Sequence, residues 1–146
     1  MTEPYKVLLV EDSPSAALGI RKAVQSVADV EIVAVRNLAD AEKMLGDSTM
    51  KFKAAIIDND FPGGDPSSGH PGVPLIKKIR GGLYDAQDNQ LSNMKILFQT
   101  ATLTPELREQ AVAAGADDCA EKSDRRKFVQ FAVEHMPLQS RGAGGP

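Results

Sequence analysis

The feature that most constrains the fold is a series of short apolar runs, each about as long as one β-strand. The runs cover residues 6–10, 31–35, 54–57, 94–98 and, more weakly, 118–121. Runs that are apolar without alternation are buried on both faces, which is typical of parallel strands between two layers of helices. The sequence therefore predicts an α/β fold with a doubly wound, five-stranded parallel sheet flanked by helices.

Segments with the spacing of amphipathic helices lie between these runs. Residues that commonly cap helix N-termini stand before three of the segments, at Ser13, Asn37 and Thr104. A last helix is expected to begin near Ser123. The segments 61–74 and 81–93 are rich in Gly and Pro or lack apolar periodicity, and they are predicted to be long loops around a short helix through Ile76 and Ile79.

The length and composition favour one globular domain. The chain has 146 residues, of which 42% are hydrophobic and 25% charged, enough to form a buried core. We expect residues 1–136 to form this domain and residues 137–146, which end in a glycine-rich stretch, to form a disordered tail. The single cysteine, Cys119, excludes an internal disulfide and a thiolate metal cluster, which suits a reducing compartment.

Charge and hydropathy argue against several classes of partner. The net charge is -3, and charges of both signs are interspersed, so the chain lacks the basic surface that binds nucleic acid. No apolar stretch approaches the roughly 20 residues needed to span a bilayer, and the N-terminal MTEPYK does not resemble a signal peptide. We therefore expect a cytoplasmic protein with neither a nucleic acid partner nor a membrane partner.

Polar side chains follow four of the apolar runs, at the edge of a parallel sheet where ligands bind. They are Glu11 and Asp12, then Asp58, then Gln99 and Thr100, and last Lys122. Each residue alone is explained by helix capping or by a solvated charge. Together, at one edge of one sheet, they predict a functional site.

The electrostatics of this predicted site require a positive charge. Two carboxylates about 4 Å apart repel each other by about 4 kcal/mol at an effective dielectric constant of about 20, and Glu11, Asp12 and Asp58 would all lie together. Lys122 supplies one positive charge, and a hard divalent cation with oxygen ligands, Mg²⁺, would supply the rest. A carboxylate at Asp58, beside a cation and a lysine, can act as a nucleophile toward phosphorus.

Four motifs in order resemble those of the receiver domains of two-component response regulators. They are KVLLVEDS, IIDNDFP, ILFQTA and GADDCAEKS, and the resemblance covers residues 5–136. Asp58 stands four residues before Pro62, and Lys122 stands seven residues after Gly115. The resemblance implies the flavodoxin-like receiver fold and a role as a phosphoacceptor rather than as an enzyme.

The resemblance also implies a role for each site residue. Asp58 would accept a phosphoryl group from a phosphohistidine of a histidine kinase or of a histidine phosphotransfer protein, and the modified domain would switch its contacts with a downstream protein effector. Thr100 and Lys122 would contact the phosphoryl oxygens. The implied ligands of Mg²⁺ are Glu11, Asp12, Asp58 and the backbone carbonyl of Asp60.

The sequence departs from the family in three places. Cys119 occupies the position of the usual aromatic residue of the fifth strand, and we expect it to be a small buried hydrophobe rather than a reactive thiol. Ser123 follows Lys122 where the family commonly has a proline. The loop after Pro62 is extended and contains His70, which we expect to be exposed to solvent rather than to bind a metal.

Two other functions remain open at this point. The chain could be a pseudo-receiver, an interaction module that keeps the fold without being phosphorylated. The segment Asp58-Asn59-Asp60 also fits the DxD signature of haloacid-dehalogenase-like phosphatases, in which Asp58 would be the nucleophile and Asp60 the acid and base. Those enzymes carry the signature on an early strand and have a further acidic pair after the lysine, and this sequence has neither feature.

Overall fold

A parallel sheet forms the centre of the molecule. The computed structural model describes residues 4–63 and 70–139, and within them the sheet has five strands in the order β2-β1-β3-β4-β5. Every neighbouring pair of strands is parallel, which confirms the predicted architecture. The strands are β1 (Lys6–Val10), β2 (Glu31–Val35), β3 (Phe52–Asp58), β4 (Lys95–Thr100) and β5 (Asp118–Glu121).

Helices cover both faces of the sheet. Residues of α2, α3 and α4 share one apolar core, and residues of α1 and α5 share the other. Each strand contributes residues to both cores, as the apolar runs indicate, although the edge strand β2 leaves Glu31 and Ala34 exposed. The helices are α1 (Pro14–Gln25), α2 (Leu38–Leu45), α3 (Gly72–Arg80), α4 (Pro105–Ala114) and α5 (Arg125–His135).

Local capping explains where most helices begin. The side chains of Ser13, Asn37 and Thr104 each accept a hydrogen bond from a backbone N–H in the first turn of the following helix, as predicted. Helix α5 begins at Arg125 with Asp124 in the N-cap position, two residues later than the predicted start near Ser123. The N-cap preference of Ser123 is therefore not used here.

The strands and loops at the site differ slightly from the predicted bounds. Strands β3 and β4 continue past their apolar runs because Asp58 still pairs with Gln99, and Thr100 with Glu121. The segment 81–93 ends in a short 3₁₀ helix (Leu91–Asn93), whose Leu91 is buried. The predicted loop 61–74 ends earlier, because α3 begins at Gly72, and its residues 64–69 lie outside the described part of the chain.

The described chain continues beyond α5 as far as residue 139. Leu138 forms an isolated antiparallel bridge with Ala28, next to a backbone hydrogen bond of 2.8 Å from Asp29 N–H to the carbonyl of Pro137. Residues 140–146 of the predicted tail lie outside the described residues, so the predicted domain boundary stays a prediction. Among the described helices, none combines the length and the apolar character needed to cross a bilayer.

Candidate functional site

The carboxyl ends of β1, β3, β4 and β5 bring the polar residues of separate segments to one edge of the sheet. Asp58 is the last residue of β3 and pairs in register with Gln99 of β4. Glu11 directly follows β1, and Lys122 directly follows β5. Because the strands are parallel, residues up to 111 positions apart in the chain, Glu11 and Lys122, come into contact.

Lys122 connects two buried carboxylates. Its Nζ lies 2.9 Å from Oδ2 of Asp58 and 3.0 Å from Oε1 of Glu11. Asp58 and Glu11 are each 1% exposed, so little water separates these charges. The sequence predicted that these three residues meet, and the structure places them in direct contact.

Glu11 is held by donors from three different segments. Lys122 contacts both of its carboxylate oxygens, the side-chain amide of Gln99 donates to Oε1 at 3.0 Å, and the backbone N–H of Ser13 donates to Oε2 at 3.0 Å. The carboxylate thus has a fixed orientation at the base of the site.

Burial is the main cause of the raised pKa of Asp58. Loss of hydration raises the pKa of Asp58 to about 6, and the nearby charge of Glu11 acts in the same direction, whereas hydrogen bonds from Lys122 and from the Asp60 N–H oppose it. Burial also acts to lower the pKa of Lys122, but its hydrogen bonds and charge interactions with Asp58 and Glu11 outweigh this effect, and the net pKa is raised. Lys122 is therefore a cation, and Asp58 is less acidic than an exposed aspartate.

The donor set at this edge fits a hard divalent cation. Glu11, Asp12 and Asp58 each offer a carboxylate oxygen, and these atoms all lie within 4.8 Å of one another. Asp12 is exposed, so the cluster opens to solvent. Within the described residues, Lys122 is the one cation in contact with Glu11 and Asp58, which leaves an excess of negative charge. Oxygen ligands with excess negative charge suit Mg²⁺.

Thr100 and Asp60 lie at the same edge with different surroundings. Thr100 ends β4, is 3% exposed, and its carbonyl accepts a hydrogen bond of 2.9 Å from the N–H of Lys122. The N–H of Asp60 donates to Oδ1 of Asp58 at 3.2 Å. The side chain of Asp60 is 57% exposed, and its carboxylate contacts Nδ1 of His70.

Sequence reasoning missed two contacts at this site. The sequence predicts Gln99 as a polar strand end without a role, although a polar residue that interrupts the apolar run before Thr100 is a visible signal. His70 is exposed, as predicted, yet it pairs with Asp60, and the Gly- and Pro-rich loop gives no signal for that contact. Cys119 is completely buried, and burial raises the pKa of its thiol, which confirms the predicted small hydrophobe.

Comparison with solved structures identifies the fold. A response regulator from Thermotoga maritima superposes with a TM-score of 0.70 at 18% identity, covering 92% of this chain and 98% of that one. The BeF₃-activated N-terminal receiver domain of RstA from Klebsiella pneumoniae gives a TM-score of 0.66 at 20% identity, covering 89% and 97%. A response regulator from Burkholderia pseudomallei, solved with a phosphorylated aspartic acid, calcium ion and citrate, gives a TM-score of 0.66 at 19% identity. This superposition covers 95% of this chain and 69% of that one.

At the level of sequence, no family model and no curated protein matches the chain. The structural neighbours are response regulators and their receiver domains, and they cover about 90% of the chain. The chain therefore has the flavodoxin-like fold of a response-regulator receiver domain, as the motifs predicted.

Proposed function

We propose that this chain is a phosphoacceptor receiver domain, in which Asp58 takes a phosphoryl group from a phosphohistidine of a histidine kinase or of a histidine phosphotransfer protein. The observation that carries the proposal is the buried Asp58 carboxylate, 2.9 Å from the Lys122 ammonium, at the carboxyl edge of a receiver fold. Glu11 and Asp12 beside it complete an acidic cluster.

In the proposed reaction, a carboxylate oxygen of Asp58 forms a bond to phosphorus while the bond between phosphorus and the histidine nitrogen breaks. The departing imidazole keeps the electron pair and takes up a proton, and Asp58 becomes an acyl phosphate. Phosphoryl transfer depends mainly on positioning and on neutralising charge. The Lys122 ammonium and the Thr100 hydroxyl are the groups of this chain that would bind the transferred oxygens.

The acidic cluster would serve as the cation site of this reaction. Glu11, Asp12, Asp58 and the backbone carbonyl of Asp60 are the proposed ligands, with Glu11 able to act through a water molecule. When bound, Mg²⁺ would supply positive charge next to the phosphoryl oxygens. Without a cation, excess negative charge at the cluster opposes the approach of another anion.

The signal would leave the site as a change in contacts with a protein effector in the cytoplasm. Leu103, in the loop after β4, donates its N–H to the carboxylate of Glu121 at 2.9 Å, which ties this loop to β5. A phosphoryl group that draws Thr100 and Lys122 inward would pull on both ends of this connection. The buried Cys119 stands where the family usually has an aromatic ring, so we propose that the loop itself transmits the change.

A phosphodonor assay tests the function directly. The full chain is incubated with acetyl phosphate and Mg²⁺, and its intact mass is measured. We expect one phosphoryl adduct on the wild type, none on Asp58→Asn, none with a chelator, and an unchanged adduct on the control Asp88→Asn, whose aspartate lies in the loop before β4. A wild type without an adduct would contradict the proposal and favour the pseudo-receiver. Continuous release of phosphate from a phosphomonoester would instead favour the phosphatase.

A further inference from the structure

Gln99 is an unusual residue for the interior of a parallel sheet. It is 0% exposed, it lies opposite Asp58 in the sheet register, and its Nε2 donates to Oε1 of Glu11 at 3.0 Å. Its own Oε1 has no hydrogen-bond partner among the described residues. A buried acceptor without a partner is destabilising, so an apolar residue at this position would serve packing better.

The orientation of the Gln99 amide follows from its neighbour. A carboxylate accepts hydrogen bonds and does not donate them, so the NH₂ group of Gln99 must face Glu11 and the amide oxygen must face away. The unpartnered oxygen is therefore a direct consequence of the hydrogen bond to Glu11. This arrangement suits a residue that holds the Glu11 carboxylate in position.

Glu11 loses a hydrogen-bond donor when Lys122 acts on a phosphoryl group, and the donors that remain then fix the orientation in which Glu11 would face Mg²⁺. The side chain of Glu11 is 0% exposed, and within residues 4–63 and 70–139 Lys122 is its cationic partner. Lys122 has three N–H donors, and its Nζ lies within 3.2 Å of Glu11 Oε1, Glu11 Oε2 and Asp58 Oδ2, so a hydrogen bond given to a phosphoryl oxygen must be withdrawn from one of these oxygens. A buried carboxylate that loses a cationic partner is strongly destabilised unless other donors remain.

We propose that Gln99 is a positioning residue that keeps Glu11 in place while Lys122 transfers a hydrogen bond from Glu11 to the phosphoryl group. The Gln99 amide and the Ser13 N–H are the donors that stay with Glu11. This inference rests on the proposed phosphoacceptor function and deepens it. Gln99 acts through Glu11 and touches neither the phosphoryl group nor its donor.

The variant Gln99→Met tests the inference because it keeps the length of the side chain and removes the donor. We expect phosphorylation of Asp58 by acetyl phosphate and Mg²⁺ to slow by about tenfold, the loss typical of one hydrogen bond to a buried charge. Gln110→Met, an exposed position on α4, makes the same chemical change away from the site and should leave the rate unchanged. A rate for Gln99→Met equal to that of the wild type would overturn the inference.

A double-mutant cycle separates positioning from general packing. In a Glu11→Gln background, Gln99→Met should cause a much smaller slowing, because the acceptor of the Gln99 hydrogen bond is then neutral and the bond is weaker than one to a carboxylate. An equal loss in both backgrounds would show that Gln99 acts by another route and would overturn the inference. A wild type that never becomes phosphorylated would mark failure of the proposed function itself.

A measurement on the wild type covers the case in which Gln99→Met does not fold. The side-chain NH₂ protons of Gln99 are followed by NMR before and after addition of beryllofluoride, a phosphoryl mimic, with Mg²⁺. We expect these protons to exchange slowly with solvent in both states, since the hydrogen bond to Glu11 persists. Protection that is lost when beryllofluoride binds would contradict the inference.

Discussion

Two clusters of charged side chains lie at opposite edges of the same sheet, and they differ in how well their charges and hydrogen bonds are satisfied. Asp58, Glu11 and Lys122 lie at the carboxyl ends of the strands. Arg80 and Asp117 lie at the amino ends of β4 and β5, where Arg80 Nη2 is 2.8 Å from Asp117 Oδ2. One of these clusters has complete contacts and supports the fold, and the other is the site of the proposed reaction.

The Arg80 cluster is balanced. Arg80 donates to the carbonyls of Gly115, Ser92 and Met94 at 2.6–2.8 Å as well as to Asp117. The same Asp117 oxygen accepts the N–H of Ile96 at 2.8 Å. The Arg80 cation pairs with one carboxylate, and its other N–H groups donate to backbone carbonyls. The charges and donors of this cluster are therefore already paired within the protein, without a ligand.

The Asp58 cluster is unbalanced. Three carboxylates lie within 4.8 Å of one another, and within the described residues Lys122 is the one ammonium that contacts Glu11 and Asp58. Burial is the main cause that raises the pKa of Asp58 to about 6, and the Gln99 amide oxygen has no hydrogen-bond partner in the part of the chain that the structure describes. Buried groups left in this condition destabilise the fold, and they are typical of sites that bind ions or react. Incomplete pairing of charges and hydrogen bonds, rather than the presence of charge, therefore distinguishes the edge that holds the candidate site.

The largest expected effect is on the balanced cluster. Arg80→Ala removes a half-buried cation and leaves three carbonyls and the Asp117 carboxylate without their donor, so we expect a loss of about 3 kcal/mol in the free energy of unfolding. Urea denaturation measures it, and Arg126→Ala, an exposed arginine at the start of α5, is the control. A loss under about 1 kcal/mol would remove the contrast between the two clusters.

Asp58→Asn should raise the free energy of unfolding, whereas Arg80→Ala lowers it. The pKa of Asp58 is about 6 in the folded protein and 3.8 in its ordinary state, so the folded protein binds this proton more tightly. The stability that this proton gives is therefore present below about pH 4 and is lost as pH rises through about 6. The amide of the Asp58→Asn variant stays neutral throughout, which should make the variant more stable at pH 7 by up to about 3 kcal/mol.

Urea denaturation of wild type and Asp58→Asn between pH 4 and 7.5, without divalent cations, checks this prediction. The two proteins should be nearly equal in stability near pH 4 and should diverge as pH rises. The control Asp88→Asn removes an exposed carboxylate and should follow the wild type. An Asp58→Asn variant that is less stable than the wild type at pH 7 would show that the Lys122 ion pair outweighs burial.

Mg²⁺ should stabilise the Asp58 cluster and leave the Arg80 cluster unchanged. A ligand that binds the folded state raises the free energy of unfolding by about 1.4 kcal/mol at ten times its Kd. We expect this gain for the wild type and for Arg80→Ala, and a smaller one for Asp12→Asn, which loses an exposed ligand carboxylate. Thermal unfolding with Mg²⁺ and with chelator measures it. An equal gain in Asp12→Asn would place the cation elsewhere.

The sequence predicted most of the fold because its strongest signals are local. Apolar runs, N-cap residues and strand-end carboxylates each depend on neighbours in the chain, and Asp58 and Lys122 were placed at one edge by the rule that parallel strands share a direction. The ends of β3 and β4 were missed by one or two residues, because Asp58 and Thr100 are polar and yet remain in the sheet ladder.

The contacts that set the balance of each cluster were beyond local reasoning. The hydrogen bond from Gln99 to Glu11 joins residues 88 positions apart, and the ion pair of Arg80 with Asp117 joins residues 37 apart. Their partners are chosen by helix packing and strand order together, so no spacing in the sequence identifies them. The sequence nevertheless predicted the excess of carboxylates over cations at the site, because the charges at the strand ends can be counted without knowing which side chains touch.

The smallest expected effect concerns the exposed ion pair next to the site. His70 and Asp60 are in contact at the edge of the unbalanced cluster, but their side chains are 63% and 57% exposed, and water screens such a pair. His70→Ala should therefore change the free energy of unfolding by less than about 0.5 kcal/mol. Asp60→Ala, which keeps the backbone carbonyl, should change the free energy of unfolding as little. The double variant with both substitutions should show no larger change than either single variant. A change above about 1 kcal/mol in urea denaturation would mean that this pair orders the edge of the site, and the unbalanced cluster would then extend to Asp60.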